Sequence, residues 1–99
     1  MLVCRVLGNV VSTNKTEKLV GLKLMVMSQY NFTNHTVEGP TFVAVDTVGA
    51  GEGEVVLVVN GSSARQTAQT DQKPVDAAIV AIIDSIEVEN QVLFRKNGE

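Results

Sequence analysis

The 99 residues are enough for one compact domain and too few for two, so residues 1–99 read as a single domain. A formal net charge of −3 and a pI near 5 provide no positive field, which argues against nucleic acid or an anionic membrane as partner. Apolar residues make up 44% of the chain and charged ones 19%, more apolar surface than a small core has room for, so a buried subunit interface is expected; a tightly packed monomeric β-barrel is the alternative.

Leu2 to Val11 alternates as a strand, with Leu2, Cys4, Val6 and Val10 on one face and Val3, Leu7 and Val11 on the other. Gly8 in its middle marks a bend or a close backbone approach. The run lacks the basic start and the apolar length of a signal peptide. One cysteine, Cys4, cannot form an internal disulfide and suits a small buried hydrophobe in a reducing compartment, so a cytoplasmic location is expected. On that reading the four formal glycosylation matches, at Asn14, Asn31, Asn34 and Asn60, are chance.

Ser12 to Lys18 is polar and loop-like. After Gly21, Leu22, Leu24 and Val26 alternate with Lys23, Met25 and Met27 in a second strand, which should pair antiparallel with the first. Gln29 to Pro40 has no periodicity and reads as an exposed loop. Phe42 to Val45 and Val55 to Val59 are strand-like, and Gly49, Gly51 and Gly53 between them suggest a hairpin. Gly61-Ser62-Ser63 can end a strand and cap a helix of about two turns over Ala64 to Thr70. Val75 to Val88 fits both periods; Pro74 to Ala78 is read as a turn and the rest as a strand. Val92 to Phe94 makes a last short strand or extended tail, and Lys96 to Glu99 a frayed end.

Several features imitate chemistry. Gly49-Ala50-Gly51-Glu52-Gly53 follows a strand, as in a dinucleotide fingerprint, but precedes another strand in place of the required helix. Gly61-Ser62-Ser63-Ala64-Arg65 offers amides, hydroxyls and a cation that can hold an anion, or an ordinary helix cap. His35 has no partner ligands in sequence, so no metal site is expected. Asp46, Asp76 and Asp84 lack a nucleophile and orienting group at recognisable spacing. They read as partners for turn amides or for ion pairs across subunits, and neither catalytic nor cofactor-binding residues are assigned. Five or so short strands with one or two small helices describe a five-stranded, OB-like Greek-key barrel. Its four aromatics, Tyr30, Phe32, Phe42 and Phe94, on an acidic background do not make a stacking platform for oligonucleotides.

Gly8, Val10, Thr13 and Lys15; Leu19 and Gly21 to Leu24; Val43 to Asp46; Gly49 to Glu54; Gly61 to Arg65; and Pro74 to Asp84 together resemble, in order and spacing, the bacterial microcompartment vertex family of the EutN/CcmL type. The resemblance covers nearly the whole chain. It implies an OB-like barrel that assembles as a homopentamer, caps the vertices of a protein shell in the bacterial cytoplasm, and meets six-fold shell proteins. The implied role is architectural, not enzymatic. Asp46, Gly49, Gly51, Gly53, Glu54, Gly61, Ser62, Ser63, Ala64 and Arg65 would then lie at the subunit interface or near the axis, where small residues let backbones approach and Arg65 offers directional hydrogen bonds. An oligomeric barrel that binds a small anion or effector at subunit junctions is the alternative.

Overall fold

A computed structural model describes residues 1–13 and 15–98. Asn14, which begins one glycosylation match, and Glu99, which ends the polar tail, lie outside the described residues. Among those described, five strands close into a barrel: β1 (Leu2–Val10), β2 (Lys23–Asn31), β3 (Thr36–Asp46), β4 (Val55–Asn60) and β5 (Ala77–Ile82). Their order is β1-β2-β3-β5-β4, with β4 returning to β1. Neighbours pair antiparallel except β3 and β5, which run parallel through Val45↔Ala78 and Asp46↔Ile79. β6 (Ser85–Val88) and β7 (Gln91–Arg95) form a separate antiparallel hairpin. This is the small mainly-β barrel expected, with two 3-10 turns, Glu17–Leu19 and Gly61–Arg65, as its helical elements among the described residues.

Alternation builds the interior. β1 sends Cys4 and Val6 inward, β4 sends Val56 and Val58, and β5 contributes Ile79, all at most 1% exposed. On β2 the inward residues are Met25 and Met27, while Leu24 and Val26 are half-buried. Both faces of that strand are apolar, so the alternation cannot tell which one looks in. Ala44, Ala50 and Ala77 complete this cluster, with Ala44 directly beside Met25 on the neighbouring strand. A second cluster gathers Tyr30, Val55 and Phe94, with Val3, Phe32, Ile83 and Ile86 packed against it. Near Gly8 the β1–β2 register slips between Val6↔Met27 and Gly8↔Val26, the bend the glycine marks in the sequence.

Three expectations are corrected. Val43 to Val59 is not a hairpin: β3 pairs with β2 and β5, β4 pairs with β1 and β5, and the glycine segment is a crossover between non-neighbouring strands. Gln29 to Pro40 is not a loop, because β2 and β3 continue as a hairpin through Tyr30↔Val37 and Asn31↔Thr36. Its turn is closed by Asn31 Oδ1, which accepts from the amides of Thr33 and Asn34. The segment shows no periodicity because Thr36 to Thr41 are exposed on both faces. The two-turn helix over Ala64 to Thr70 is also absent. A 3-10 turn ends at Arg65, and beyond it the Thr67 and Thr70 hydroxyls, 2.6 Å apart, close a separate turn over the fully buried Thr70.

The Pro74 turn followed by a strand is as expected, but the strand starts at Ala77, inside the turn read over Pro74 to Ala78, and the run to Val88 is not one strand: β5 ends at Ile82 and the chain resumes at Ser85 as β6 in a separate sheet. The tail is better held than a frayed end: Lys96 N donates to Asp84 O at 2.8 Å and Gly98 N to Arg95 O at 3.0 Å. The molecule measures 45 × 24 × 22 Å. No helix among the described residues is long and apolar enough to cross a membrane.

Candidate functional site

The first candidate segment is the crossover that leaves β3 at Asp46. Its carboxylate is nearly buried, and Oδ1 accepts from the amides of Val48 and Gly49 at 3.0 and 3.1 Å. Lys23 at the start of β2 brings Nζ within 3.8 Å of Oδ2 and donates to Ala50 O at 3.2 Å. Thr47 Oγ1 donates to Ile79 O at 2.7 Å, tying the crossover to β5. Ala50 inserts into the barrel core, so the segment is pinned by one buried methyl group in its middle. Gly49 and Gly53 have φ of +79° and +88°, a region where an L side chain is strained. Gly53 N then donates to Val6 O and Val6 N to Glu54 O, extending the β1–β4 ladder by one more pair.

Glu54 closes the crossover on both sides. Oε1 accepts from Gly51 N at 2.6 Å, and Oε2 pairs with Lys96 Nζ at 2.9 Å. The Lys96 hydrogen bond and then the Gly51 amide hold this carboxyl below its ordinary value, because both favour the charged form. The same pair raises Lys96.

The second candidate segment follows β4. Gly61 adopts φ +63°, and its amide donates to Asp76 O at 2.8 Å. Ala64 is fully buried, whereas Ser62 and Ser63 are exposed. The cap is Asn60, with no side-chain capping bond, and Ser63 contributes its carbonyl, which accepts from Gln66 N. Arg65 does not point away from its own chain: Nη1 donates to Val75 O at 2.9 Å. Together Gly61 and Arg65 hold the Val75–Asp76 stretch through two successive carbonyls.

That stretch is one wall of a feature missed from the sequence, a shallow apolar groove of about 200 Å³ lined by Leu19, Leu24, Val43, Val45, Pro74 and Val75. Its lining comes from four separate stretches of chain, so no local motif signals it. Val43, on its rim, is 44% exposed.

The ten candidate residues do not converge on one centre. Glu54 immediately precedes β4 and Gly61 immediately follows it, and a six-residue strand at about 3.3 Å per residue separates them by about 20 Å. Two fixed backbone segments at the two ends of one strand, with a groove beside one of them, suit an extended contact surface. Among the described residues no three His, Cys, Asp or Glu groups gather as a metal site. His35 is exposed, and its Nδ1 lies 3.0 Å from the hydroxyl of Tyr30. Cys4 sits in the barrel core, where burial pushes its thiol up to about 11.

Comparison with known proteins supplies the assembly context. Residues 1–84 match the family described as Ethanolamine utilisation protein EutN/carboxysome. The chain is similar to the bacterial microcompartment shell vertex protein GrpN of Rhodospirillum rubrum, 49% identical over 87 residues that make up 87% of this chain and 96% of that protein. Among solved structures it is similar to CcmL of Gloeobacter violaceus, with a TM-score of 0.90 and 39% identity over 98% of this chain and 99% of that one. It is also similar to the solved GrpN of Rhodospirillum rubrum, described as a pentameric microcompartment shell protein, with a TM-score of 0.79 and 46% identity over 89% of this chain and 99% of that one.

Proposed function

The chain belongs to the EutN/CcmL family, and on that premise we propose that it is a structural shell protein whose homopentamer caps the vertices of a bacterial microcompartment in the cytoplasm. The observation that carries the proposal is the match of the whole barrel, crossover and Gly61–Arg65 turn included, to shell vertex proteins at 39–49% identity. Its partners are four further copies of itself and the six-fold shell proteins that tile the facets. A sheet of six-fold units closes into a polyhedron only where pentagons take the corners, and a head-to-tail interface that closes after five copies supplies such a pentagon. The relatives are structural shell proteins, and we assign this chain no reaction of its own.

The shape supports assembly. The accessible surface is 6025 Å², whereas a compact monomer of this mass exposes about 5,500 Å². The radius of gyration is 13.9 Å against about 12.6 Å for a compact domain of this length. Leu7, Val11, Val20, Val43, Val88 and Val92 are all exposed, which locates the apolar surplus of the composition on the outside.

On this reading the crossover and the Gly61–Arg65 turn lie at or near the subunit interface, with the groove as the apolar part of the contact. Native mass spectrometry across a dilution series tests the proposal. Five copies that persist on dilution support it, and a monomer at every concentration overturns it. Co-expression with six-fold shell proteins then reads out the role: closed polyhedra with this chain, open tubes or sheets without it.

A further inference from the structure

We propose that the β6–β7 hairpin is a clasp that rests on the neighbouring copy of this chain in the ring, strengthening an interface that the barrel forms without it. The inference builds on the ring reading and adds a part to it. The family match ends at Asp84, the residue immediately before β6. The pentameric relative is covered over 99% of its own length by 89% of this chain, so a tenth of the present chain lies outside what that protein uses to make a ring. Where the family match stops points to the hairpin as the surplus.

The hairpin is built to reach outward. Among the described residues it forms a sheet of its own and shares no ladder with the barrel. Its base is anchored, with Phe94 buried against Tyr30 at a ring separation of 5.9 Å and Ile86 packed on the same cluster. Its far half is uncovered, leaving Val88 and Val92 45% and 43% exposed. A two-stranded hairpin is marginal in water unless something covers it. The tip is nevertheless a defined two-residue turn, with Glu89 and Asn90 both at positive φ, the geometry that matches the twist of paired strands. An ordered arm with apolar residues at its open end gives up little entropy on docking.

Placement selects the occupant. Lys96, one residue past β7, pairs with Glu54 of the glycine crossover, and its amide donates to Asp84 O at the root of β6. The hairpin is therefore fixed to one of the two segments assigned to the ring surface. A neighbour seated on that segment lies beside the root of the hairpin, from which the arm runs out to Val88 and Val92, and within a ring that neighbour is another copy.

Two measurements test this. The variant carrying Val88→Asp and Val92→Asp, which leaves Phe94 and Ile86 in place, is compared with the unmodified chain by native mass spectrometry over a dilution series. The variant is expected to remain a five-copy ring when concentrated, but to dissociate at about tenfold higher concentration, as loss of a small apolar contact implies. In the unmodified chain, amide exchange at Val88 and Val92 is expected to slow about tenfold between dilute monomer and ring. The second measurement needs no substitution, so misfolding of the variant does not blunt the test. A five-copy ring whose dissociation and hairpin exchange are both unaffected overturns the clasp and leaves the ring reading standing. A variant ring of unchanged stability that no longer co-assembles with six-fold shell proteins overturns it in favour of a contact with those tiles. An unmodified chain that is monomeric throughout overturns both.

Discussion

Arg65→Met separates two roles that a cation can play in an assembly: holding its own chain, or bonding to the next. Methionine keeps most of the length and apolar stem of the side chain and removes the guanidinium, so the variant loses the bond from Nη1 to Val75 O. A hydrogen bond from a charged donor contributes about 1.5–3 kcal/mol when buried. Arg65 and Val75 are both half-buried, so water can reach the freed carbonyl and the loss should fall near 1–2 kcal/mol. For a domain of this size that lowers the thermal midpoint by about 5–10 °C. The measurement is thermal unfolding by circular dichroism at matched protein concentration, since assembly itself shifts the midpoint by mass action. Native mass spectrometry of the same samples reports ring size. A lowered midpoint for the dilute monomer, with a ring that still forms when concentrated, is the expected pair of results. If the monomer midpoint is unchanged and the ring disappears, Arg65 acts across the interface and the groove wall does not depend on it. If neither changes, the reasoning about this residue is wrong.

Three further outcomes follow from the geometry. Glu54 has a folded-state value depressed by Lys96 and the Gly51 amide, so its contribution is present above the ordinary carboxylate range and is lost as pH falls through the lowered value; the stability difference between the unmodified chain and Glu54→Gln should shrink to nothing in acid, measured by urea unfolding from neutral to acidic pH. Gly53→Ala should destabilise by about 1 kcal/mol or more through its φ of +88°, although no atom would touch the new methyl, whereas Gly8→Ala, with open space and no positive φ, should be neutral or slightly stabilising in the same assay. Cys4, buried in the core with its thiol pushed up to about 11, should react with a thiol reagent at the rate of barrel opening and not faster; a prompt reaction in the folded protein would contradict the placement of its side chain.

Local signals carried the parts of the fold that are local. The β1–β2 pair, the slip at Gly8 and the Pro74 turn before β5 all follow from alternation and from glycine and proline positions. The crossover from β3 to β4 reads as a hairpin in sequence because two β-rich runs flanking glycines look the same whether the chain folds back on itself or crosses to another strand. Only the long-range pairings of Val45 with Ala78 and of Arg5 with Val55 distinguish the two. The distal β2–β3 hairpin has no sequence signal for another reason: both faces of Thr36 to Thr41 are exposed, so the inside-outside contrast that reveals strands is missing. The candidate residues were found as a motif, and several sit at positions where backbone conformation demands them. Gly49, Gly53 and Gly61 have positive φ, and Asp46 and Glu54 accept from crossover amides. The groove and the Arg65–Val75 bond were invisible because they join stretches distant in sequence.

The distribution of order in this chain is what an assembly part requires. The ionisable residues Asp46, Glu54 and Arg65 each bond to backbone groups of their own chain. Those bonds fix main-chain shape in the two segments proposed for the ring contact, and such a contact depends on fixed shape, since five-fold and six-fold closure differ by about 12° of rotation per contact, the difference between about 72° and 60°. A flexible surface would tolerate either closure. Two carbonyls held by Gly61 and Arg65, a crossover pinned by Ala50, and a carboxylate clamped between Gly51 and Lys96 leave those two segments little freedom to rotate. If those two segments form the ring contact, as proposed, then rigidity of their backbone, more than any single side-chain contact, is what lets one small barrel specify a corner.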